Sequence, residues 1–477
     1  MAIDQHPQGP GALAAMAGKP QPTASWSGWL VQSLQRPIAE GDRARAARHL
    51  VDWLACAYLG RASETGEVMA RWAARQAPGS AWACGHNGLH PAESARFNGS
   101  LGSLHELDDV HREAVVHPGD TVIPAALAIA QREACSARDL LDAIVVGYEA
   151  GIRLGLLAGT AHYHHWYSTA TTGAFASAIA CARLLRLPSE AMQQALALAG
   201  MQASGVWQCR LEPGVAKQVA TGHAAQAGLV AADLAAAGAT GPLAILEGEH
   251  GWLRATGVTP DPQAAQRHLQ AAPDASWLLH TVSFKPWPAC RHVHPAIGCA
   301  LQAHAKGLRP QAVQRIELAT YAVAIAFADQ PSPATPHEAR FSLQHAVAWA
   351  LCQGDFWLNA SAPPAWQEAA CADLRQRVEV SCGPRQEARY PGRFSARLAV
   401  HLEDGTVQVF EEESALGDPE QPMTPGQLHA KAHRMLVNAG VPHADAQGLI
   451  EQGLNLPAQE DLQDWWRRLQ ALSVSRA

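Results

Sequence analysis

Between His105 and His117 the chain packs four carboxylates (Glu106, Asp108, Asp109, Glu113) and three imidazoles (His105, His111, His117) into thirteen residues. Burying such groups is costly unless they are paired or used. Forcing them together shifts their proton affinities, which suits proton-transfer chemistry. One functional reading is a general acid–base site that also receives a substrate carboxylate. A second is a metal site, since both residue types are good ligands. The segment lacks HxxxH and HExxH spacings, so no metal is expected. An ion-paired helix terminus is the inert alternative.

A second segment, Phe284-Lys285-Pro286-Trp287-Pro288-Ala289-Cys290-Arg291-His292-Val293-His294, sets four basic side chains on a proline-stiffened backbone. Lys285, Arg291, His292 and His294 would form a positive wall suited to a polycarboxylate; the alternative is a basic loop between domains. In His162–Gly173, hydroxyls including Thr171 precede a small-residue helix, whose N-terminus attracts anions. Tyr167 in that stretch can move a proton if a nearby cation lowers its pKa; an aromatic–histidine patch closing a helix end is the alternative. Lys217 begins an otherwise apolar helix, as a solvated end or as a desolvated base. Glu338 and Arg340 read as a domain-interface pair. The chain has no GxGxxG, Walker or GxSxG motif, so nucleotide-binding and serine-hydrolase readings have no footing.

The elements that must position these residues are mostly helical. From Ser25 to about Leu278 the periodicity is that of helices, with Leu50, Trp53, Leu54 and Ala57 on one face of residues 45–59 and Gly60 ending the run. Pro124 opens an apolar helix, Ser136 is an N-cap, and Pro188-Ser189-Glu190 starts another helix. The Ala- and Gly-rich runs Gly173–Leu187 and Ala216–Ala237 predict closely packed central helices. After Trp277 the pattern changes. Residues 314–327 and 377–380 alternate, and Asp404-Gly405 joins Ala396–Leu402 to Thr406–Phe410 as a hairpin. Helical character returns with Thr424-Pro425-Gly426-Gln427, a capping box with proline at the first helical position. Helices are expected at about 425–439 and 442–453. The expected organisation is a disordered arm (1–24), a helical domain (25–279), an α+β domain (280–413) and C-terminal helices (414–477) that return to the helical domain.

Composition sets the outer bounds. The 477 residues exceed one ordinary core. The 36 basic and 43 acidic residues give a formal charge of −7 with no long block of either sign, which argues against nucleic acid as a partner. Ten cysteines without a CxxC pair read as reduced thiols in a cytoplasmic protein. No secretory signal and no membrane span are expected.

In order, these segments resemble the MmgE/PrpD family, which includes 2-methylcitrate dehydratase, cis-aconitate decarboxylase and iminodisuccinate epimerase. The resemblance spans about residues 28–455 and is carried by Leu50–Gly60, Asn98–Ala126, Gly147–Arg153, Thr169–Leu187, Lys217–Gly228, Gly248–Trp252, Phe284–Ile297, Glu338–Leu351 and the Gly417–Thr424 turn. It implies a mainly α fold: a large helical domain built from both chain ends plus a smaller α+β lid, with the site in the cleft between them. It implies a homodimer, and a reaction without metal or organic cofactor on a small di- or tricarboxylate.

Residue by residue, Glu106 falls at the first Asp of a DFDDT motif, with Asp108 and Asp109 at the later two. His117 matches the HPS/HPG histidine, Lys217 the lysine before the GxAA helix, and Lys285 and His294 the first and last charged positions of the KxxPxC/H segment. Val110 replaces the motif's threonine, and Tyr167 stands where a histidine is frequent. The expected catalytic set is His117, Lys217, Tyr167, Glu106 and Asp108. Lys285, Arg291, His292, His294, Asp109, His111 and Thr171 are expected to bind substrate. The leading expectation is a lyase that abstracts a proton α to a carboxylate. The alternatives are an epimerase using Tyr167 and Lys217 on opposite faces of one carbon, and a non-catalytic carboxylate-binding protein.

Overall fold

A computed structural model describes residues 25–472 apart from Pro213; the arm expected over residues 1–24 lies outside the described residues. The described residues are 59% helical and 9% strand, a mainly α fold as the resemblance implied. Its apolar side chains form two principal cores. The larger runs from Trp26 to Val282 and is completed by Trp357 and by residues from Ala432 to Leu472. The smaller runs from Trp287 to Phe410.

The larger core is built on helices Glu40–Arg61, Gly119–Arg132, Ala137–Tyr163, Ser168–Leu184 and Ala216–Ala236. Alanine and glycine dominate their contact faces, which lets the backbones approach closely. A Cβ at Gly228 would lie 2.5 Å from the Ala174 carbonyl oxygen, so only glycine allows that crossing. Gly60 likewise does not end its helix, which continues to Arg61. A Cβ at Gly60 would meet the Leu101 carbonyl oxygen at 2.1 Å, so the glycine serves a close approach rather than a cap.

Three further expectations are corrected. Pro124 sits inside helix Gly119–Arg132, not at its start, because the chain turns helical at Gly119, whose N–H is capped by Asp109 Oδ1 at 3.1 Å. A hairpin of β1 (Pro78–Ala83) and β2 (His86–Leu89) interrupts the stretch read as helical throughout. These strands are only six and four residues long and contain Gly79 and Gly88, too little for an alternating signal. Alternation over 314–327 ends early: β3 covers Val313–Thr320, and Ala322–Ala328 is helical.

The smaller core lies between a four-stranded sheet and helices His294–Ala305 and Leu343–Gln353. With β4 at Val378–Cys382, β5 at Ala396–Leu402 and β6 at Val407–Glu412, the order is β4-β3-β5-β6. β3 runs parallel to β4 and antiparallel to β5, with Ile316 opposite both Val378 and Val400. The β5–β6 hairpin turns at Gly405, whose φ of 85° explains the glycine.

Helix Pro425–Asn438 carries the capping box read from sequence: Thr424 Oγ1 accepts from the Gln427 N–H at 3.2 Å, and Gln427 Oε1 from the Thr424 N–H at 2.8 Å. Its buried Met435 and Leu436 join the larger core, each worth roughly 1.5–3 kcal/mol. Further along, the Leu469 carbonyl accepts from Tyr58 Oη at 3.2 Å and Trp82 Nε1 at 3.3 Å.

Candidate active site

Five ionisable side chains from four separate stretches meet where the two cores adjoin. The register of one short pairing brings the first two together. Val110 and Ser283 exchange both backbone hydrogen bonds, at 3.0 and 2.8 Å, in an antiparallel bridge. Two residues away along each strand, on the same face, Asp108 falls opposite Lys285. Lys285 Nζ donates to Asp108 Oδ1 at 3.1 Å and reaches Glu106 Oε2 at 3.4 Å. Glu106 follows the short helical turn Gly102–His105 and lies in the left-handed region at φ 55°. Its other oxygen accepts from Lys217 Nζ, in the first turn of helix Ala216–Ala236, at 2.5 Å.

His117 closes the cluster from the opposite side. Its Nδ1 faces two acceptors, Asp108 Oδ2 at 2.5 Å and the Asp109 carbonyl at 3.1 Å. A nitrogen facing only acceptors carries a proton, so Nε2 is the ring position through which a proton can be exchanged with a ligand. Thr169 Oγ1 accepts from the His117 N–H at 3.1 Å and ties this loop to helix Ser168–Leu184.

Exposure divides the cluster into a floor and an edge. The side chains of Lys285 and Asp108 are each 1% exposed, whereas Glu106, His117 and Lys217 are 12%, 14% and 17% exposed. An incoming ligand therefore meets Lys217, Glu106 and His117. Burial alone would raise the Glu106 carboxyl, but Lys217 and Lys285 outweigh it and bring its pKa down to about 2. Asp108 is likewise pushed up by burial but held well below the usual carboxylate range by Lys285 and His117. Burial pulls Lys217 down, yet Glu106 holds it well above the ordinary lysine value. The resting cluster thus holds two ammonium and two carboxylate groups, and both lysines keep their protons.

Tyr167 N-caps helix Ser168–Leu184 and stacks on Trp207, ring centroids 4.7 Å apart. Lys217 Nζ lies 5.9 Å from the centre of its ring. The buried hydroxyl makes no hydrogen bond among the described residues. Burial, only partly offset by Lys217, pushes it up to about 12, so it holds a proton at neutral pH.

The other expected site residues have their polar groups engaged elsewhere. Asp109 accepts from Tyr148 Oη at 2.7 Å and the Gly119 N–H at 3.1 Å, and meets His49 Nδ1 at 2.7 Å. His111 Nδ1 accepts from the Ala114 N–H and its Nε2 bonds Thr281 Oγ1, both at 3.1 Å. Thr171 Oγ1 bonds His162 Nε2 at 2.8 Å. Nor do the basic residues of 285–294 form one positive wall. Arg291 pairs with buried Asp418 and donates to the Leu416 carbonyl at 3.0 Å. His292 bonds Tyr321 Oη at 2.8 Å and stacks on Phe394, and burial takes its pKa down to about 3. His294 lies between Arg291 and the Ala289 carbonyl; burial, then Arg291, holds it well below the usual histidine range. Glu338 and Arg340 do not pair with each other: Glu338 accepts from the Ala334 N–H, and Arg340 reaches the Leu104 carbonyl.

Sequence reasoning missed Thr169, Trp207, His49 and Tyr148, and also Arg340 and Lys431 as holders of the acidic loop. Each contacts the site through a backbone group or a ring face, or stands behind another side chain, so no motif marks it.

Residues 31–265 match the MmgE/PrpD N-terminal domain and residues 287–456 the MmgE/PrpD C-terminal domain. The chain belongs to the MmgE/PrpD family. Among MmgE/PrpD relatives, a cis-aconitate decarboxylase of Aspergillus terreus is 28% identical over 286 residues, 57% of this chain. The match spans only 58% of that relative's length. A cis-aconitate decarboxylase-like protein of Aspergillus oryzae is 25% identical over 470 residues, 93% of this chain and 96% of its own length. Human cis-aconitate decarboxylase is 26% identical over 437 residues, 88% of each chain. Among the described residues, no helix of this MmgE/PrpD protein is long and apolar enough to cross a membrane.

Proposed function

We propose that this protein is a lyase of the dehydratase or decarboxylase type, acting on a small di- or tricarboxylate by proton transfer at the carbon next to a carboxylate. The observation that carries the reading is the continuous chain Lys217–Glu106–Lys285–Asp108–His117, which offers a cation and an imidazole to the same edge. Abstraction of an α-proton builds charge on the adjacent carboxylate, and a fixed ammonium beside it lowers that barrier. Lys217 is so placed. His117 Nε2 takes the proton, and Asp108 steadies the imidazolium through Nδ1.

In a dehydration, the electron pair of the broken C–H bond forms a C=C bond as the C–O bond breaks. The departing hydroxyl takes a proton from Lys217 or Tyr167 and leaves as water. In a decarboxylation, the C–C bond to the carboxylate breaks, CO₂ leaves, and the carbon takes a proton from the same acids. Lys285 on the floor keeps Glu106 and Asp108 ionised. The relatives named as cis-aconitate decarboxylases support this reading.

The epimerase alternative needs Tyr167 as a phenolate base. Its hydroxyl is pushed up to about 12, the wrong direction for that role. Incubating the protein in D₂O with cis-aconitate, with 2-methylcitrate and with iminodisuccinate, followed by NMR, separates the readings. A lyase releases CO₂ or water and yields a new unsaturated acid. Deuterium incorporation without net loss would establish the epimerase, and binding with no exchange or product would leave a carboxylate-binding protein.

A further inference from the structure

The loop bearing Glu106 and Asp108 is gripped from outside by two cations that bond to its main chain. Arg340 Nη1, from the α+β part, donates to the Leu104 carbonyl at 3.0 Å. Lys431 Nζ, from helix Pro425–Asn438, donates to the Leu107 carbonyl at 2.8 Å. Lys431 is buried, and its ammonium also lies 2.6 Å from Asp52 Oδ1 on helix Glu40–Arg61.

A buried ammonium is a poor way to fill space, because its desolvation is rarely repaid by one partner. The neighbours Ala432, Met435 and Leu436 show that this helix face otherwise packs with apolar side chains. What Lys431 adds is a hold on one peptide. The Leu107 carbonyl belongs to the rigid plane joining Leu107 to Asp108. Pinning its oxygen sets the direction in which Asp108 leaves the main chain. On the other side of Leu107, Glu106 lies at φ 55°, a conformation that a residue with a side chain keeps only where its surroundings impose it.

We propose that Lys431 is a positioning residue of the active site: seated on Asp52, it pins the Leu107 carbonyl and so aims Glu106 and Asp108 at Lys217, Lys285 and His117. Neither Lys431 nor Asp52 faces the reacting atoms. The kinetic consequence rests on the lyase reading above; the structural one does not.

The test compares full-length Lys431→Met, Lys431→Arg and Asp52→Asn proteins by two readouts. The first is amide hydrogen exchange by mass spectrometry over residues 104–111, with helix 119–132 as the internal control. Lys431→Met is expected to speed exchange in 104–111 by about tenfold or more while the control stays as in the parent. The second is turnover of cis-aconitate, in which Lys431→Met lowers kcat by roughly ten- to a hundredfold with KM changed less than about threefold. Lys431→Arg, which keeps a cationic donor, recovers most of both. Parent-like exchange over 104–111 in a folded Lys431→Met protein overturns the proposal, as does an equal rise in the control helix. If Lys431→Met does not fold, Asp52→Asn decides by the same readouts: faster exchange confined to 104–111 supports the proposal and parent-like values overturn it. A parent protein inert towards cis-aconitate counts against the lyase reading, and the exchange measurement still decides the role of Lys431.

Discussion

Replacing Glu106 by glutamine removes one negative charge from the site with little change in shape. Lys217 Nζ lies 2.5 Å from one Glu106 oxygen and Lys285 Nζ 3.4 Å from the other. At an effective dielectric of about 20, two unit charges roughly 3–4 Å apart interact by about 4–5 kcal/mol. Losing that attraction brings the Lys217 pKa down, because Glu106 is the main group holding it above the ordinary lysine value. In the proposed reaction Lys217 starts the turnover protonated, so the alkaline limb of the kcat/KM profile should move to lower pH. A substrate-free assay checks the same point: acetic anhydride acylates only the free amine, so Lys217 labelling, read by mass spectrometry, should accelerate by about tenfold or more at fixed pH. Stability gives a second handle. The folded Glu106 carboxyl is lowered to about 2, below its unfolded value of about 4.3. Its contribution, about 3 kcal/mol, is therefore present above pH ~4.3 and lost as pH falls towards ~2. Glu106→Gln should lack that acid-side loss. A folded variant with parent-like labelling and an unmoved alkaline limb would refute the reasoning.

Four further outcomes follow from the geometry. His117→Gln should lower kcat by about 10²–10⁴-fold with little change in thermal unfolding if His117 is the base, as proposed. Tyr167→Phe removes a hydroxyl without a hydrogen-bond partner, so urea unfolding should shift by no more than about 0.5 kcal/mol, while kcat falls at least about tenfold if that hydroxyl donates the proton. Asp109→Ala leaves Tyr148 Oη, the Gly119 N–H and His49 Nδ1 unpaired inside the protein; a loss of about 3–5 kcal/mol in urea unfolding is expected. Gly60→Ala sets a methyl 2.1 Å from the Leu101 carbonyl oxygen and should cost several kcal/mol, on the order of 3 or more, read by thermal melting.

How much of this was legible in the sequence depends on what each residue does. Glu106, Asp108, His117, Lys217 and Lys285 stood out because charges amid alanine need a reason, and the structure gathers all five. Asp109, His111, Arg291, His292 and His294 carry the same chemistry and stood out equally, yet their polar atoms are engaged by main-chain groups and buried partners. Residue type does not separate an ion that faces a cleft from one that seals a loop; that depends on the register of the Val110–Ser283 bridge and on which side of it a side chain emerges. The fold was more legible because caps and periodicity are local: Ser136 accepts from the Asp139 N–H at 3.1 Å, and the Thr424 box forms as read. The short β1–β2 hairpin and the contact at Gly60 were not, because both depend on partners far along the chain.

The two cores differ in the order in which their parts are synthesised. The smaller one is contiguous, from Trp287 to Phe410. The larger one is interrupted by it and lacks Met435, Leu436, Ile450 and Trp465 until the final stretch has emerged. During translation the later-encoded core can therefore close before the earlier-encoded one is complete. A nascent chain stalled near residue 415 would expose the apolar face of helix Glu40–Arg61 that Met435 and Leu436 cover in the finished protein, which makes that intermediate a natural client for chaperones.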